Sequence, residues 1–207
     1  AEMSVYYSKC FLVKDLYWKR IHTSINLAKL QDESVVLDIG CNKGQLLKMI
    51  KETNHKCECW GTDIESSITS LKIEDCKFRV ADVKSLPFEN NTFDVIFALS
   101  TLEHVKDIDK SISEIHRVLK KDGVFILSSP TESRFYRFCR WILFGVSKKN
   151  VYKNKPGFKG EIDFHYRNVY EIEKKCKEGG FIQIKQEELP GFPIPTLHRI
   201  TKYKKKS

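Results

Sequence analysis

Three acids stand where short runs of β-branched and aromatic residues come to an end. Asp38 falls within Val35-Val36-Leu37-Asp38-Ile39, Asp63 closes Cys59-Trp60-Gly61-Thr62-Asp63, and Asp82 follows the run Cys76 to Val80 within Val80-Ala81-Asp82-Val83. A carboxylate in such a place accepts hydroxyl or amine donors from a ligand lying across the strand ends. Asp63 comes 25 residues after Asp38, close to the offset of roughly 20 residues at which an acid takes ribose hydroxyls in nucleotide-binding folds. Asp82 is placed to accept from an exocyclic amine. Any one of the three also suits a cap or a surface position, but the placement recurs three times beside one glycine-bearing loop.

That loop is Gly40-Cys41-Asn42-Lys43-Gly44. Gly40 and Gly44 remove side chains where the backbone must turn tightly and approach a ligand, and Asn42 is one of the few other residues that tolerate positive φ. A dinucleotide fingerprint would need glycine at Asn42 and Gln45, and a phosphate-cradling loop would need Lys-Ser or Lys-Thr after Gly44. Both are excluded, which leaves a nucleoside site without a pyrophosphate. Cys41 is read as a small loop residue, not a nucleophile. Cys57 and Cys59 form C-x-C with no second Cys or His pair at zinc-like spacing, so no metal is expected.

The elements that must position these residues follow from periodicity. Apolar positions from Lys14 to Leu30 predict an amphipathic helix, and Val35–Ile39 predicts a strand followed by a helix from Gln45 to Lys51. Further strands are predicted at Cys59–Asp63, Cys76–Val80, Phe93–Ser100 and Val124–Ser129. Ile108, Ile112, Ile115 and Leu119 stack on one face of a helix predicted over Asp107–Lys120, ended by Asp122-Gly123. A helix near Asn168–Glu178, Gly179-Gly180 and a strand Phe181–Glu187 follow. Alternation of this kind is buried best as a doubly wound, Rossmann-like α/β fold.

The blocks VLDIGCNKG, GTDI, ADVKSLPFENNTFDVIFALSTLEHV and ISEIHRVLKKDGVFILSSP, in that order, resemble the class I S-adenosylmethionine-dependent methyltransferases, specifically the group called methyltransferase type 11. The resemblance covers about Ser34 to Pro130. It implies a mostly parallel seven-stranded sheet with helices on both faces, S-adenosyl-L-methionine as cofactor and S-adenosyl-L-homocysteine as product. Carried over by position, Asp38, Gly40, Cys41, Asn42 and Gly44 would shape the pocket for the amino-acid part. Asp63 and Ile64 would hold the ribose, Asp82 and Val83 the adenine, and Leu99 and Ser100 the side nearest the methyl group. Asn42 departs from the glycine that many members have there.

A methyl sulfonium is already activated, so positioning and water exclusion dominate catalysis. If the acceptor is a hydroxyl, Glu103-His104 after the fourth strand is the best-placed pair for proton transfer; Glu103 also suits a helix cap or an occasional metal, and His104 simple packing. His165-Tyr166-Arg167 resembles the H-x-R stretch before the late helix of this group. It is a substrate-side candidate, with a helix-preceding turn as the plainer reading.

The chain has 207 residues, 41% hydrophobic and 30% charged, which fits one globular domain and argues against disorder or a membrane bundle. The expected division is an N-terminal helical segment (1–33), a cofactor-binding core (34–130), a basic aromatic insertion or lid (131–165), and a C-terminal helix, strands and basic tail (166–207). No apolar run reaches the roughly 18 residues of a membrane span, and no basic-then-apolar leader opens the sequence. Seven cysteines without framework spacing read as reduced thiols, and the expected location is cytoplasmic, with peripheral membrane contact as a variant.

Thirty-six Lys and Arg against 27 Asp and Glu give a net charge of +9. Thr131 to Gly160 holds eight basic residues against Glu132 alone, and Arg199 to Ser207 holds five with no acid, so the remainder is mildly acidic. As a helix, the first segment puts Arg134, Arg137 and Arg140 opposite Phe135, Tyr136 and Phe138. A lid over the acceptor ranks first, contact with an anionic membrane or lipid substrate second, and RNA third. The function expected is methyl transfer to a small-molecule, lipid- or glycan-linked acceptor at oxygen. A nucleic-acid methyltransferase is weakened by Ala98-Leu99-Ser100-Thr101 in place of an Asn/Asp-Pro-Pro-aromatic turn, and a non-catalytic scaffold by the intact glycines and carboxylates. The oligomeric state leaves no signal in the sequence.

Overall fold

A computed structural model describes residues 11–53, 56–131, 165–190 and 195–206. Seven strands are described: β1 (Val35–Ile39), β2 (Glu58–Asp63), β3 (Cys76–Val80), β4 (Phe93–Leu99), β5 (Leu119–Pro130), β6 (Phe181–Leu189) and β7 (His198–Lys205). They form one sheet in the order β3-β2-β1-β4-β5-β7-β6. β1 to β5 run parallel, while β7 is antiparallel to both β5 and β6. The helices are α1 (Phe11–Ala28), α2 (Gln45–Thr53), α3 (Ile108–Val118) and α4 (Val169–Glu178).

The central strands are nearly continuous hydrophobic runs because both faces of the sheet are covered. Successive residues point to opposite sides, and two cores result. Val36, Val95, Phe97 and Ile126 pack with Ile21 of α1 and with Leu47 and Ile50 of α2. Leu37, Ile96 and Phe125 pack on the other face with Ile112 and Ile115 of α3 and Ile172 of α4. This is the doubly wound arrangement that the resemblance implies.

β1 to β4 lie where periodicity predicts them, to within a residue at each end. The α3 helix is shorter than expected. Asp107 caps it by accepting from the Lys110 N–H at 3.2 Å, but it stops at Val118. Leu119 is already extended (ψ 134°) and pairs with Phe93 of β4, so β5 begins five residues before the predicted Val124. Sheet pairing overrides a helical period that Leu119 continues on paper.

The larger correction concerns the C-terminal charge. Arg199 to Lys205, read from sequence as part of a basic tail, forms an interior strand between β5 and β6. Ile200, Thr201 and Tyr203 are fully buried, while Lys202 reaches the Leu27 carbonyl and Lys205 reaches Asn91 Oδ1. These lysines lie along the sheet with their ammonium groups held by protein acceptors, and burial pulls both below the usual lysine range. The basic aromatic segment Arg134 to Lys159 lies outside the described residues. No helix of the described residues is long and apolar enough to cross a membrane.

Candidate functional site

Strand order reverses at β1, with β2 and β3 laid to one side and β4 and β5 to the other. A crevice forms at the carboxyl ends of β1 and β4, the usual place for a ligand in such a sheet. Gly40 turns the chain out of β1 at φ +71°, and a Cβ there would come within 2.3 Å of Thr101 Oγ1. Thr101 in turn donates to the Ile39 carbonyl at 3.0 Å, stitching the end of β4 to the end of β1. Asn42 (φ +47°) and Gly44 (φ +70°) adopt the left-handed backbone that the sequence anticipates. The Gly40 and Cys41 N–H groups donate to the Thr62 carbonyl at 2.7 and 3.0 Å, so the loop is fixed to β2.

Asp63 finishes the clasp. Its Oδ2 accepts from the Asn42 N–H at 3.0 Å and its Oδ1 from the Glu65 N–H at 3.1 Å. Each carboxylate oxygen accepts more than once, so Asp63 fixes the loop and retains capacity for a pair of ligand hydroxyls. Asp82, past β3, is exposed; it accepts from its neighbour Lys84 N–H at 2.9 Å, with Lys84 Nζ 3.3 Å away. Val83 is buried and Ile64 is 53% exposed beside Asp63.

Asp38 is the electrostatic centre of the crevice. It is buried, at 4% exposure. Burial first, then the nearby Asp63 charge, push its carboxyl well above the usual range, and only Arg20 pulls the other way. A buried acid beside a second acid favours a cationic partner, which is what the ammonium and sulfonium of S-adenosylmethionine would bring; the donor set fits that cofactor. Cys41 lies in the same field. Burial and the two acids push its thiol up, so it is not a thiolate nucleophile.

Sequence reading missed Arg20. It reaches from α1 to the end of β4 and hydrogen-bonds to Ser100 Oγ, in the residue that follows β4 with φ +56°. Leu99 and Ser100 are half-buried there. The only linear signal was a basic residue between the apolar positions Tyr17 and Ile21 of a helix that otherwise covers the sheet.

The second cluster lies past β4 on the 3₁₀ turn Leu102–His104. Glu103 is 1% exposed, and its Oε2 accepts from Ser129 Oγ, near the end of β5, at 2.8 Å. The His104 ring meets His165 edge-to-face with centroids 4.7 Å apart. The two segments are pinned together, since the Tyr166 N–H donates to the Glu103 carbonyl at 2.8 Å. Arg167 donates to the Val105 and Lys106 carbonyls at 2.9 and 3.1 Å. His165 thus joins the predicted Glu103-His104 pair, whereas the Arg167 guanidinium serves as a clamp, and Tyr166 points outward at 36% exposure. Ser129, brought in from β5, had no signal in the sequence.

A separate cavity of about 750 Å³ opens on the outer side of the glycine loop, between Trp18 of α1, Lys48 and Met49 of α2, and Leu71 to Ile73. It touches Asn42 but none of the strand-end acids.

The family model described as a methyltransferase domain matches residues 37–127. Protein MJ1252 of Methanocaldococcus jannaschii is 30% identical over 189 residues, 82% of this chain and 70% of that protein. A sterol 4-C-methyltransferase of Caenorhabditis elegans is 34% identical over 119 residues, 53% of this chain; the match spans about a third of that enzyme, at 35%. Among solved structures, an S-adenosylmethionine-dependent methyltransferase from Mesorhizobium loti superposes with a TM-score of 0.64 at 16% identity, covering 92% of this chain and 98% of its own.

Proposed function

The chain belongs to the class I S-adenosylmethionine-dependent methyltransferases, with S-adenosylmethionine as cofactor, and from that premise we propose that it methylates a hydroxyl oxygen of a small-molecule, lipid- or glycan-linked acceptor. When bound, the cofactor supplies a methyl group that is already electrophilic. The remaining work falls to this chain's residues: orienting the partners, excluding water and receiving a proton. Asp38 would hold the amino-acid part, Asp63 the ribose hydroxyls, and Asp82 and Val83 the adenine, with Leu99 and Ser100 lining the side nearest the methyl group. Arg20 reaches Ser100 from α1.

The observation that carries the oxygen reading is the buried Glu103 with His104 and His165 gathered at the ends of β4 and β5. A hydroxyl acceptor must lose its proton, and imidazoles near neutrality suit that task. Transfer to carbon is the second reading, favoured by the likeness to a sterol 4-C-methyltransferase.

The test is tritiated methyl transfer from S-adenosylmethionine into lipid, glycan, small-phenol and RNA extracts, with mass spectrometry of the labelled product to locate the methyl group. The expected result is O-methyl label in one of the first three fractions, lost in Asp63→Ala. Label confined to RNA, a C-methyl product, or cofactor binding with no transfer to any fraction overturns it.

A further inference from the structure

Glu103, His104 and His165 each present a donor atom, and the three atoms lie within 4.8 Å of one another. We propose that they form a three-ligand site for a first-row divalent transition cation, of the Zn²⁺, Mn²⁺ or Fe²⁺ type, at the acceptor side of the crevice. The donor set is one carboxylate oxygen and two imidazole nitrogens, a combination that suits these ions and not Mg²⁺ or Ca²⁺, which prefer all-oxygen shells.

Three features beyond proximity support the assignment. Glu103 is almost wholly buried, one oxygen is held by Ser129, and the other, Oε1, is buried with no hydrogen-bond partner among the described residues. A buried carboxylate oxygen without a donor is costly, and a cation relieves that cost. The Ser129 hydroxyl bond is also the kind of outer contact that orients a metal-binding carboxylate. Finally, segments more than 60 residues apart are pinned at this point by the Tyr166 N–H to Glu103 carbonyl bond and by Arg167 on Val105 and Lys106, so the donor set is held by backbone, not by chance side-chain approach. Metal–ligand bonds of about 2.0–2.2 Å put donors within about 3.0–3.5 Å of one another, so binding would draw inward any donor pair that stands near the 4.8 Å limit.

Three protein ligands leave at least one coordination position for water or an acceptor oxygen. The metal assignment rests on the cluster alone; only its role in receiving an acceptor hydroxyl rests on the methyl-transfer reading. In that role the cation, with both imidazoles taken up as its ligands, would itself favour the ionised oxygen, and receipt of the proton by His104 or His165 would be confined to the metal-free protein.

The experiment uses the untagged full chain stripped with chelator and titrated with Co²⁺. One equivalent per chain, visible d–d absorption and displacement by Zn²⁺ are expected. His104→Gln and His165→Gln should each weaken binding at least tenfold, and Ser129→Ala about tenfold through the loosened Glu103, with the fold of each checked by circular dichroism. His22→Gln, on an exposed position of α1, should bind as the parent does. Should a histidine variant fail to fold, Ser129→Ala decides the matter. The assignment is overturned by the absence of stoichiometric binding, or by binding that both histidine variants and Ser129→Ala leave intact. Calorimetry of S-adenosylhomocysteine on the same metal-free protein reports separately on the cofactor crevice, so a failed metal site and a failed methyltransferase reading give different results.

Discussion

Asp38 combines two demands that a single variant can separate. Its carboxyl is raised by burial and by Asp63, so the folded state holds its proton more tightly than the unfolded chain does. The resulting stability is fully present below the unfolded carboxyl pKa and is lost as pH rises through the raised folded value. Asp38→Asn is therefore expected to melt a few degrees higher than the parent at neutral pH, with the difference shrinking on acidification, while S-adenosylmethionine binding falls at least tenfold. Calorimetry and thermal melts over a pH series check both halves, and a variant that loses stability at pH 7 would contradict the account. Asp63→Ala has a different signature. It removes the acceptor for the Asn42 N–H and, on the proposed reading, an acceptor for the ribose hydroxyls, so cofactor affinity should drop by at least tenfold and amide exchange at Asn42 should accelerate.

At the scale of elements, the turn out of β1 limits what the loop can accept. Gly40→Ala places a methyl against Thr101 in a left-handed backbone, which costs ~1–2 kcal/mol for the backbone alone. A loss of about 2 kcal/mol or more in denaturant unfolding is expected, together with weakened cofactor binding. Pairing it with Thr101→Ala should recover the steric part but not the backbone part. This turn was readable in the sequence because Gly40, Asn42 and Gly44 declare their backbone locally, just as Val35–Ile39 declares a strand buried on both faces. What was not readable depends on distant partners. Leu119 continues a helical period, yet Phe93 recruits it into β5. Arg20 looks like one more charge on a surface helix, and His165 stands 61 residues from His104; only the fold makes them neighbours.

At the scale of the molecule, β7 shows how composition can hide a core strand. Its basic residues mask an element whose Ile200, Thr201 and Tyr203 are fully buried, because Arg199, Lys202 and Lys205 find protein acceptors at Glu173, Leu27 and Asn91. Arg199 holds the arrangement to α4. Its guanidinium donates to Glu173 at 3.0 Å and to Glu188 at 2.9 Å, and Glu173 also accepts from Thr201 at 2.7 Å. Removing one partner leaves Glu173 charged and buried, so Arg199→Met is expected to destabilise by about 3 kcal/mol. Glu173→Leu combined with Arg199→Met should recover much of that loss, as chemical denaturation of the single and double variants can show.

The same strand sets an order of events during synthesis. β6 leaves the ribosome before β7, yet it pairs with the sheet only through β7. Until His198 to Lys205 emerges, β6 has no edge to join, and Ile182 and Ile184, exposed even in the finished fold, lie on a strand still awaiting its partner. Unpaired strands of this kind are open to aggregation and protease attack. Released chains that end at Leu189 should accordingly be cut near β6, whereas released chains that include His198 to Lys205 should resist.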